Sequence, residues 1–328
     1  VTLSPGKKQH IQALANESGI IAAAAMDQRG SLAKALGPNT SPAMLEEFKT
    51  AVSAVLSPHA TALLLDPEYG LPATAARDPH CGLLLAYEAS GYDNTRPGRL
   101  PDLLDHVSVR RIKDWGANAV KLLVYYTPFE DPKVNEIKHA FVERVGAECA
   151  AEDLAFFLEF VGYDPAGQGE KSLEYAKKKP EIVTASMAEF SKPQYRVDVL
   201  KVEFPVNPKF VEGSRAFSGE RAHTRAEALH HFKTASGAAS LPFIYLSAGV
   251  DNDVFIEQLE MAAEAGSAFS GVLCGRATWK EGIPVYAQNG VEALREWLAT
   301  EGVANINRIN NALKPAQPCW NRLPGLQT

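Results

Sequence analysis

"VDVLKVEFPV", residues 197–206, reads as a strand buried on both faces, yet it carries Lys201 and Glu203 in its middle. A near-continuous β-branched run is what a parallel strand covered on both sides looks like. Seven further runs of this kind recur: "IIAAAAMD" (20–27), "ATALLLDP" (60–67), "GLLLAYE" (82–88), "NAVKLLVYY" (118–126), "AFFLEFVGY" (155–163), "LPFIYLSAG" (241–249) and "FSGVLCGRAT" (269–278). Between them lie stretches such as "SPAMLEEFKTAVSAVL", "DPKVNEIKHAFVERVGAECAAED", "HTRAEALHHFKTAS" and "DNDVFIEQLEMAAEAG", whose apolar residues return every three or four positions. Eight alternating units predict an α/β fold, a (β/α)8 barrel, as one domain over residues 1–328 with its core over about 20–300. "SPGKKQHIQALANESG" is expected to form an N-terminal cap helix, with Ser4 as N-cap and Pro5 in the first turn. A doubly wound open sheet is the competing architecture. It is disfavoured because no GxGxxG turn follows the first strand and no change in composition divides the chain. "ASGYDNTRPGRLPD" after the third strand reads as a functional loop over the strand ends, and "KPAQPCWNRLPGLQT" as a C-terminal extension that packs or frays.

The chain has 328 residues, 46% hydrophobic and 22% charged, the composition of a globular protein with a large core. Its net charge of -6 is spread over interspersed acids and bases, which argues against nucleic-acid or membrane-surface partners and leaves a small anion to be held by local cations. The longest apolar runs fall short of the ~20 residues that span a bilayer, and the polar start "VTLSPGKKQH" is no signal peptide, so a cytoplasmic location is expected. Cys81, Cys149, Cys274 and Cys319 are scattered without a CxxC pair, as suits reduced thiols. Apolar helix faces are compatible with a homo-oligomer.

In such a barrel, inward residues alternate along each strand and chemistry sits at the C-terminal strand ends. Lys201 and Glu203 share parity with Val199, Lys121 with Leu123 and Tyr125, and Glu159 with Phe157 and Val161. If these faces point inward, adjacent strands bring Lys121, Glu159 and Lys201 together. One such charge would read equally well as half of a structural ion pair fixing strand register. Three on successive strands point to chemistry. A second lysine and partial desolvation both disfavour an ammonium, giving an amine able to attack a ketone as a Schiff base, with Glu159 shuttling protons.

The turns "LSAGVDND" and "LCGRATWK" follow strands seven and eight, where barrels hold phosphate on loop amides. Ser247, Gly249 and Gly275 are candidates to bring N–H groups close and Arg276 to add a forked cation; tight turns and a surface ion pair are the structural alternatives. "DQRG" after the first strand sets Asp27, Gln28 and Arg29 at the same rim. There Asp27 is a candidate to orient hydroxyls or the lysines and Arg29 to meet a second anion, or either to act as a strand-end cap or ion pair. No metal is expected, since the eight histidines form no constellation at the strand C-termini. Asp66, Glu68, Glu88 and Asp93 have the chemistry to ligate a hard cation, but strand-end and loop roles serve as well.

The motifs "AMDQRG", "LLLDPEYGLPA", "LLLAYEASGYD", "RLPDLLD", "AVKLLVYY", "ERVGAECAAEDLAFFLE", "VDVLKVEFPV", "FIYLSAGV" and "GVLCGRATW" together resemble the tagatose 1,6-bisphosphate aldolase family, class I enzymes of lactose and galactose-derivative catabolism. The resemblance runs from the first strand to the last helix. It implies a (β/α)8 lyase that needs no cofactor and cleaves ketohexose bisphosphates to dihydroxyacetone phosphate and glyceraldehyde 3-phosphate. It further implies that Lys201 is the Schiff-base lysine, Glu159 the proton-transfer carboxylate, Lys121 its companion, and Asp27, Gln28, Arg29, Ser247 and Arg276 substrate neighbours. A class I aldolase for another anionic ketose phosphate, such as one bearing a sulfonate, would use the same lysine. A sugar-phosphate sensor on the same fold and a metal-dependent aldolase are the readings from other classes. Aldolases that separate C4 epimers well or poorly share these residues, since a hydroxyl-scale difference is worth only ~1–3 kcal/mol.

Overall fold

Eight short strands form the centre of the computed structural model: β1 (Ile21–Met26), β2 (Ala62–Leu65), β3 (Gly82–Ala86), β4 (Ala119–Tyr125), β5 (Ala155–Val161), β6 (Val199–Val202), β7 (Phe243–Leu246) and β8 (Gly271–Cys274). The structure describes residues 3–93, 95–167, 169–323 and 326. Each strand pairs in parallel with the next, and β8 returns to β1, so the sheet closes into a barrel as the alternation of runs predicts. Every strand lies inside its apolar run but is shorter than it. Of residues 197–206 only Val199–Val202 joins the ladder, because the chain splays into a loop while Phe204 and Val206 stay buried. Burial extends past the point where pairing stops.

Helices Pro42–Leu56, Pro132–Ala151, Arg225–Ala238 and Asn252–Glu264 pack outside the barrel. The side chains of Ser41, Asp131 and Thr224 cap the first three of these by accepting backbone N–H bonds that would otherwise be orphaned. The strands' outward residues, such as Leu63, Leu85 and Val120, join the helices in one apolar layer. Their inward residues form a second layer of Ile21, Ala23, Ala62, Leu64, Leu84, Phe157 and Val199, which mixes small side chains on β1 and β2 with the large Phe157 ring.

The bottom of the barrel is sealed by both ends of the chain. Helix Pro5–Ala13, capped by Ser4, buries Ile11, and the chain just beyond it buries Leu14, against the inner layer. Lys7 Nζ on that helix lies 2.7 Å from the Asp198 carboxylate just before β6. The C-terminal extension is packed, not frayed, over its described residues. Cys319, Leu323 and Leu326 enter the same layer, Cys319 N–H donates to Gly19 O at 2.9 Å, and Arg322 donates to Ala239 O at 2.7 Å. Residues 324, 325, 327 and 328 of that extension lie outside the described part.

Candidate active site

The inward positions are apolar low in the barrel and ionic at the C-terminal ends of the strands. Ala119 on β4 is followed two residues on by Lys121, Phe157 on β5 by Glu159, and Val199 on β6 by Lys201, as period-two alternation requires. Glu159 stands opposite Lys201 in the β5–β6 register. Its Oε2 is 2.8 Å from Lys201 Nζ and 2.8 Å from Lys121 Nζ. Lys121 Nζ also reaches Asp27 Oδ2 at 2.8 Å and Glu88 Oε1 at 2.6 Å. One ammonium therefore meets three carboxylates, whereas Lys201 meets one among the described residues.

Lys121, Glu159, Lys201 and Glu88 are nearly inaccessible to water and Asp27 is largely covered, so burial by itself would drive Lys121, Asp27 and Glu159 towards their neutral forms. The opposite charges prevail. Burial lowers the affinity of Lys121 for its proton, but Asp27, Glu159 and Glu88 more than reverse that and hold it well above the ordinary lysine range. Burial likewise pushes the Asp27 and Glu159 carboxyls up, yet Lys121 and Lys201 bring both below the ordinary carboxylate range.

This cluster is the floor of a cavity of about 400 Å³ lined by all ten residues singled out from the sequence: Asp27, Gln28, Arg29, Lys121, Glu159, Lys201, Ser247, Gly249, Gly275 and Arg276. On one wall, the β7 loop runs through Ala248 (φ 48°) and Gly249 (φ 76°), two successive residues of left-handed φ in a turn closed by Val250 N–H donating to Ser247 O at 3.1 Å. A Cβ on Gly249 would lie 2.7 Å from Cζ of Arg276, and one on Gly275 would lie 2.8 Å from Ala25 O, so both glycines permit close approaches. Arg276 is half-buried and pairs with no carboxylate among the described residues, leaving its fork to the cavity. Arg29 also lines the cavity, but its guanidinium donates to Glu68 Oε2 at 2.6 Å and to Glu88 O at 3.0 Å, the ion-pair arrangement. Gln28 Oε1 is buried without a hydrogen-bond partner.

Ala89, Ser90 and Gly91, the start of the long loop after β3, reach the cavity rim, while Asn94 of that loop lies outside the described residues. Two carboxylates at the cavity were not assigned to the lysine cluster or the substrate in the sequence reading. Glu88, weighed there only as a cation ligand or strand-end group, is one, although the inward parity of Leu84 and Ala86 continues to it. Glu203 is the other: it accepts from Gly162 N–H at 2.8 Å and lies 3.1 Å from Lys179 Nζ. The acids weighed as cation ligands have organic partners. Asp66 pairs with Lys49, Glu68 with Arg29, Glu88 with Lys121, and Asp93 accepts from Thr95. No group of three His, Cys, Asp or Glu among the described residues is arranged to hold a metal ion.

The chain and its closed parallel barrel have counterparts among known proteins. The DeoC/LacD family aldolase model matches residues 21–281, the span from β1 to the turn after β8. The chain belongs to the DeoC/LacD aldolase family. Its relatives include "Tagatose 1,6-diphosphate aldolase 2" of Enterococcus faecalis, 53% identical over 98% of this chain and 97% of that protein. Proteins named tagatose 1,6-diphosphate aldolase from Listeria monocytogenes serotype 4b (51% identical, 98% and 96% covered) and Staphylococcus aureus (48%, 95% and 96%) are similar over almost their whole length. Among solved structures, the fructose-bisphosphate aldolase of Plasmodium falciparum superposes with a TM-score of 0.65 at 13% identity, covering 94% of this chain and 96% of that one. An archaeal fructose-1,6-bisphosphate aldolase, solved with its catalytic Lys bound to a carbinolamine, superposes at 0.55 and 16% identity, covering 92% and 99%. At those identities the likeness is one of fold alone: a closed barrel of eight parallel strands. No helix among the chain's described residues is long and apolar enough to cross a membrane.

Proposed function

We propose that the protein is a class I aldolase that cleaves D-tagatose 1,6-bisphosphate and related ketohexose bisphosphates to dihydroxyacetone phosphate and D-glyceraldehyde 3-phosphate through an imine at Lys201. The observation that carries this reading is the Glu159 oxygen shared at 2.8 Å by the two lysines inside the cavity. Relatives of about half-identical sequence that carry the tagatose 1,6-diphosphate aldolase name support the substrate.

The chemistry follows from the charges. Lys121 is surrounded by three carboxylates and stays an ammonium, a fixed positive charge for the substrate's oxygens. Lys201 can hand one proton to Glu159 and add its nitrogen to the C2 carbonyl. A second proton moves from that nitrogen to oxygen, giving the carbinolamine. Glu159 returns its proton to the carbinolamine hydroxyl, water leaves, and an iminium remains. The Glu159 carboxylate then takes the proton of the C4 hydroxyl. The C3–C4 bond breaks with its electron pair passing into the iminium, and the aldehyde product departs. The enamine left on Lys201 regains a proton at C3, and water hydrolyses the imine to release dihydroxyacetone phosphate. The Ser247–Gly249 turn, Gly275 and Arg276 would grip one phosphate, with Asp27, Gln28 and Arg29 bounding the other side of the substrate.

The test is borohydride reduction in the presence of dihydroxyacetone phosphate. It should inactivate the enzyme and place one adduct on the peptide containing "VLKVEF". Lys201→Ala should abolish adduct and turnover, while Lys121→Ala should impair turnover and keep the adduct. Adduct on Lys121 would reverse the two lysines' roles, and absence of any adduct would overturn the imine mechanism. A cytoplasmic enzyme of one domain that associates with copies of itself fits this reading: all four cysteines are free and buried, and the eight strands close into one barrel.

A further inference from the structure

We infer that Lys49, a residue outside the cavity, is a positioning residue for Asp27; the inference rests on the imine reading of the site. The β1–β2 ladder ends at the Met26–Leu65 pair. Asp27 and Asp66 are the next residues on each strand, so neither is held by the sheet. Lys49, on helix Pro42–Leu56 and completely buried, supplies what the ladder no longer does. Its Nζ donates to Met26 O at 2.6 Å, to Gln28 O at 2.9 Å and to the Asp66 carboxylate, which uses its three N–H bonds. The other Asp66 oxygen accepts from Tyr69 N–H at 2.8 Å.

The two carbonyls flank Asp27. Carbonyls two residues apart point to the same side of an extended chain, so one ammonium gripping both fixes the backbone of the residue between them. The fixed residue is the one whose carboxylate meets Lys121 Nζ at 2.8 Å. Lys49 also belongs to the cations that keep the Asp27 carboxyl low, behind burial (which opposes them), Lys121 and Lys201. A buried ion pair is poor evidence of stabilisation, since apolar replacements of such pairs are often as stable or more so. Here the pair joins the unpaired ends of two strands beside the residue whose carboxylate meets Lys121. Misplacing a reacting group by about 1 Å costs on the order of 10²-fold in rate.

Two variants isolate the grip. Asp66→Asn removes the carboxylate but leaves Lys49, and even an unprotonated amine retains two N–H bonds, enough for both carbonyls. Lys49→Met combined with Asp66→Asn removes the grip without stranding a buried charge. The readouts are turnover of tagatose 1,6-bisphosphate and the yield of borohydride-trapped dihydroxyacetone phosphate on Lys201, with turnover expressed per trapped site so that loss of folded chain cancels. The expected result is turnover per trapped site within about threefold of the parent for Asp66→Asn and about 10- to 100-fold lower for the double variant. A double variant within threefold of the parent overturns the inference, as does a loss of trapping in proportion to turnover, which would mark a purely structural pair. If the parent itself traps nothing, the imine reading fails first and this inference with it, so the two failures are told apart.

Discussion

Replacing Glu159 by Gln separates what its charge does from what its shape does. The Gln carbonyl oxygen has two lone pairs and can still accept from both ammonium groups that Glu159 Oε2 now meets at 2.8 Å. Lys121 keeps Asp27 at 2.8 Å and Glu88 at 2.6 Å, so its charge and place survive. What disappears is the group that takes a proton from Lys201, returns it to the departing hydroxyl and removes the C4 proton. Proton transfer of this kind is worth about 10²- to 10⁴-fold, or about 2.7–5.5 kcal/mol of transition-state stabilisation. The expected outcome is a kcat lower by that factor and a KM changed by less than about threefold, since the phosphate contacts are untouched. Steady-state kinetics with tagatose 1,6-bisphosphate, and equilibrium trapping of dihydroxyacetone phosphate by borohydride, would check it. Trapping should persist, because a slow imine still forms given time. A kcat within threefold of the parent would refute the reasoning. Loss of trapping in step with turnover would refute the proton-transfer assignment and leave Glu159 as a group that merely holds Lys201.

Arg276→Ala should lower kcat/KM for bisphosphates about 10- to 150-fold, the equivalent of a charge-assisted hydrogen bond of about 1.5–3 kcal/mol, and spare any weak cleavage of substrates lacking that phosphate; equal losses for both would assign it a structural role. Gly249→Ala should reproduce that phenotype while leaving Arg276 in the sequence, because its Cβ would meet Arg276 Cζ at 2.7 Å and displace the guanidinium, and its φ of 76° is unfavourable for alanine; an unchanged KM would show that the guanidinium's place is immaterial. Asp27 and Glu159 have depressed folded-state pKa values, so the stability they contribute is complete above about pH 5 and is lost as pH falls below about 4 through the folded values. A thermal-melting series against pH should show this loss, and it should be shallower in Glu159→Gln; equal slopes in parent and variant would remove Glu159 from the account.

The barrel was legible because each strand lies in an apolar run and several connections carry apolar residues every three or four positions. The ionic floor was legible because alternation carries Val199 to Lys201 and Phe157 to Glu159 without any knowledge of neighbours. Less legible was whatever depends on how far a side chain reaches. Arg29 sits at the cavity as expected, but Glu68 and the Glu88 carbonyl, which occupy its guanidinium, come from other strand ends 39 and 59 residues away. Lys49 carried a faint signal. It lies on the face of its helix that also holds Leu45, Phe48 and Val52, where a lysine is out of keeping, but its partners at Gln28 and Asp66 appear only once β1 and β2 are side by side. The C-terminal extension was ambiguous because its anchors are single contacts, such as Trp320 against Gly19, spread along a Pro-rich segment with no periodicity.

The contrast between the two lysines explains why only one serves as the nucleophile in the proposed chemistry. An ammonium among Asp27, Glu88 and Glu159 cannot shed its proton without leaving three carboxylates short of a partner, so Lys121 is a permanent charge. Among the described residues Lys201 shares a single carboxylate, and that carboxylate keeps Lys121 as a partner when the proton moves. An iminium at Lys201 carries the same charge as the ammonium it replaces, at nearly the same place. The buried carboxylates that balance the resting lysine therefore balance the intermediate as well, with no new charge to solvate in a site that water hardly reaches. The ion pair is discharged, with no change in net charge, from the attack of the free amine until the carbinolamine loses water, and Glu159 at 2.8 Å holds the displaced proton for that interval. Exchanging Lys121 for Met would then do more than remove a hydrogen bond. It would leave Lys201 as the sole ammonium partner of Glu159, favour retention of its proton, and slow imine formation itself, visible as a lag in the approach to full trapping that the parent enzyme does not show.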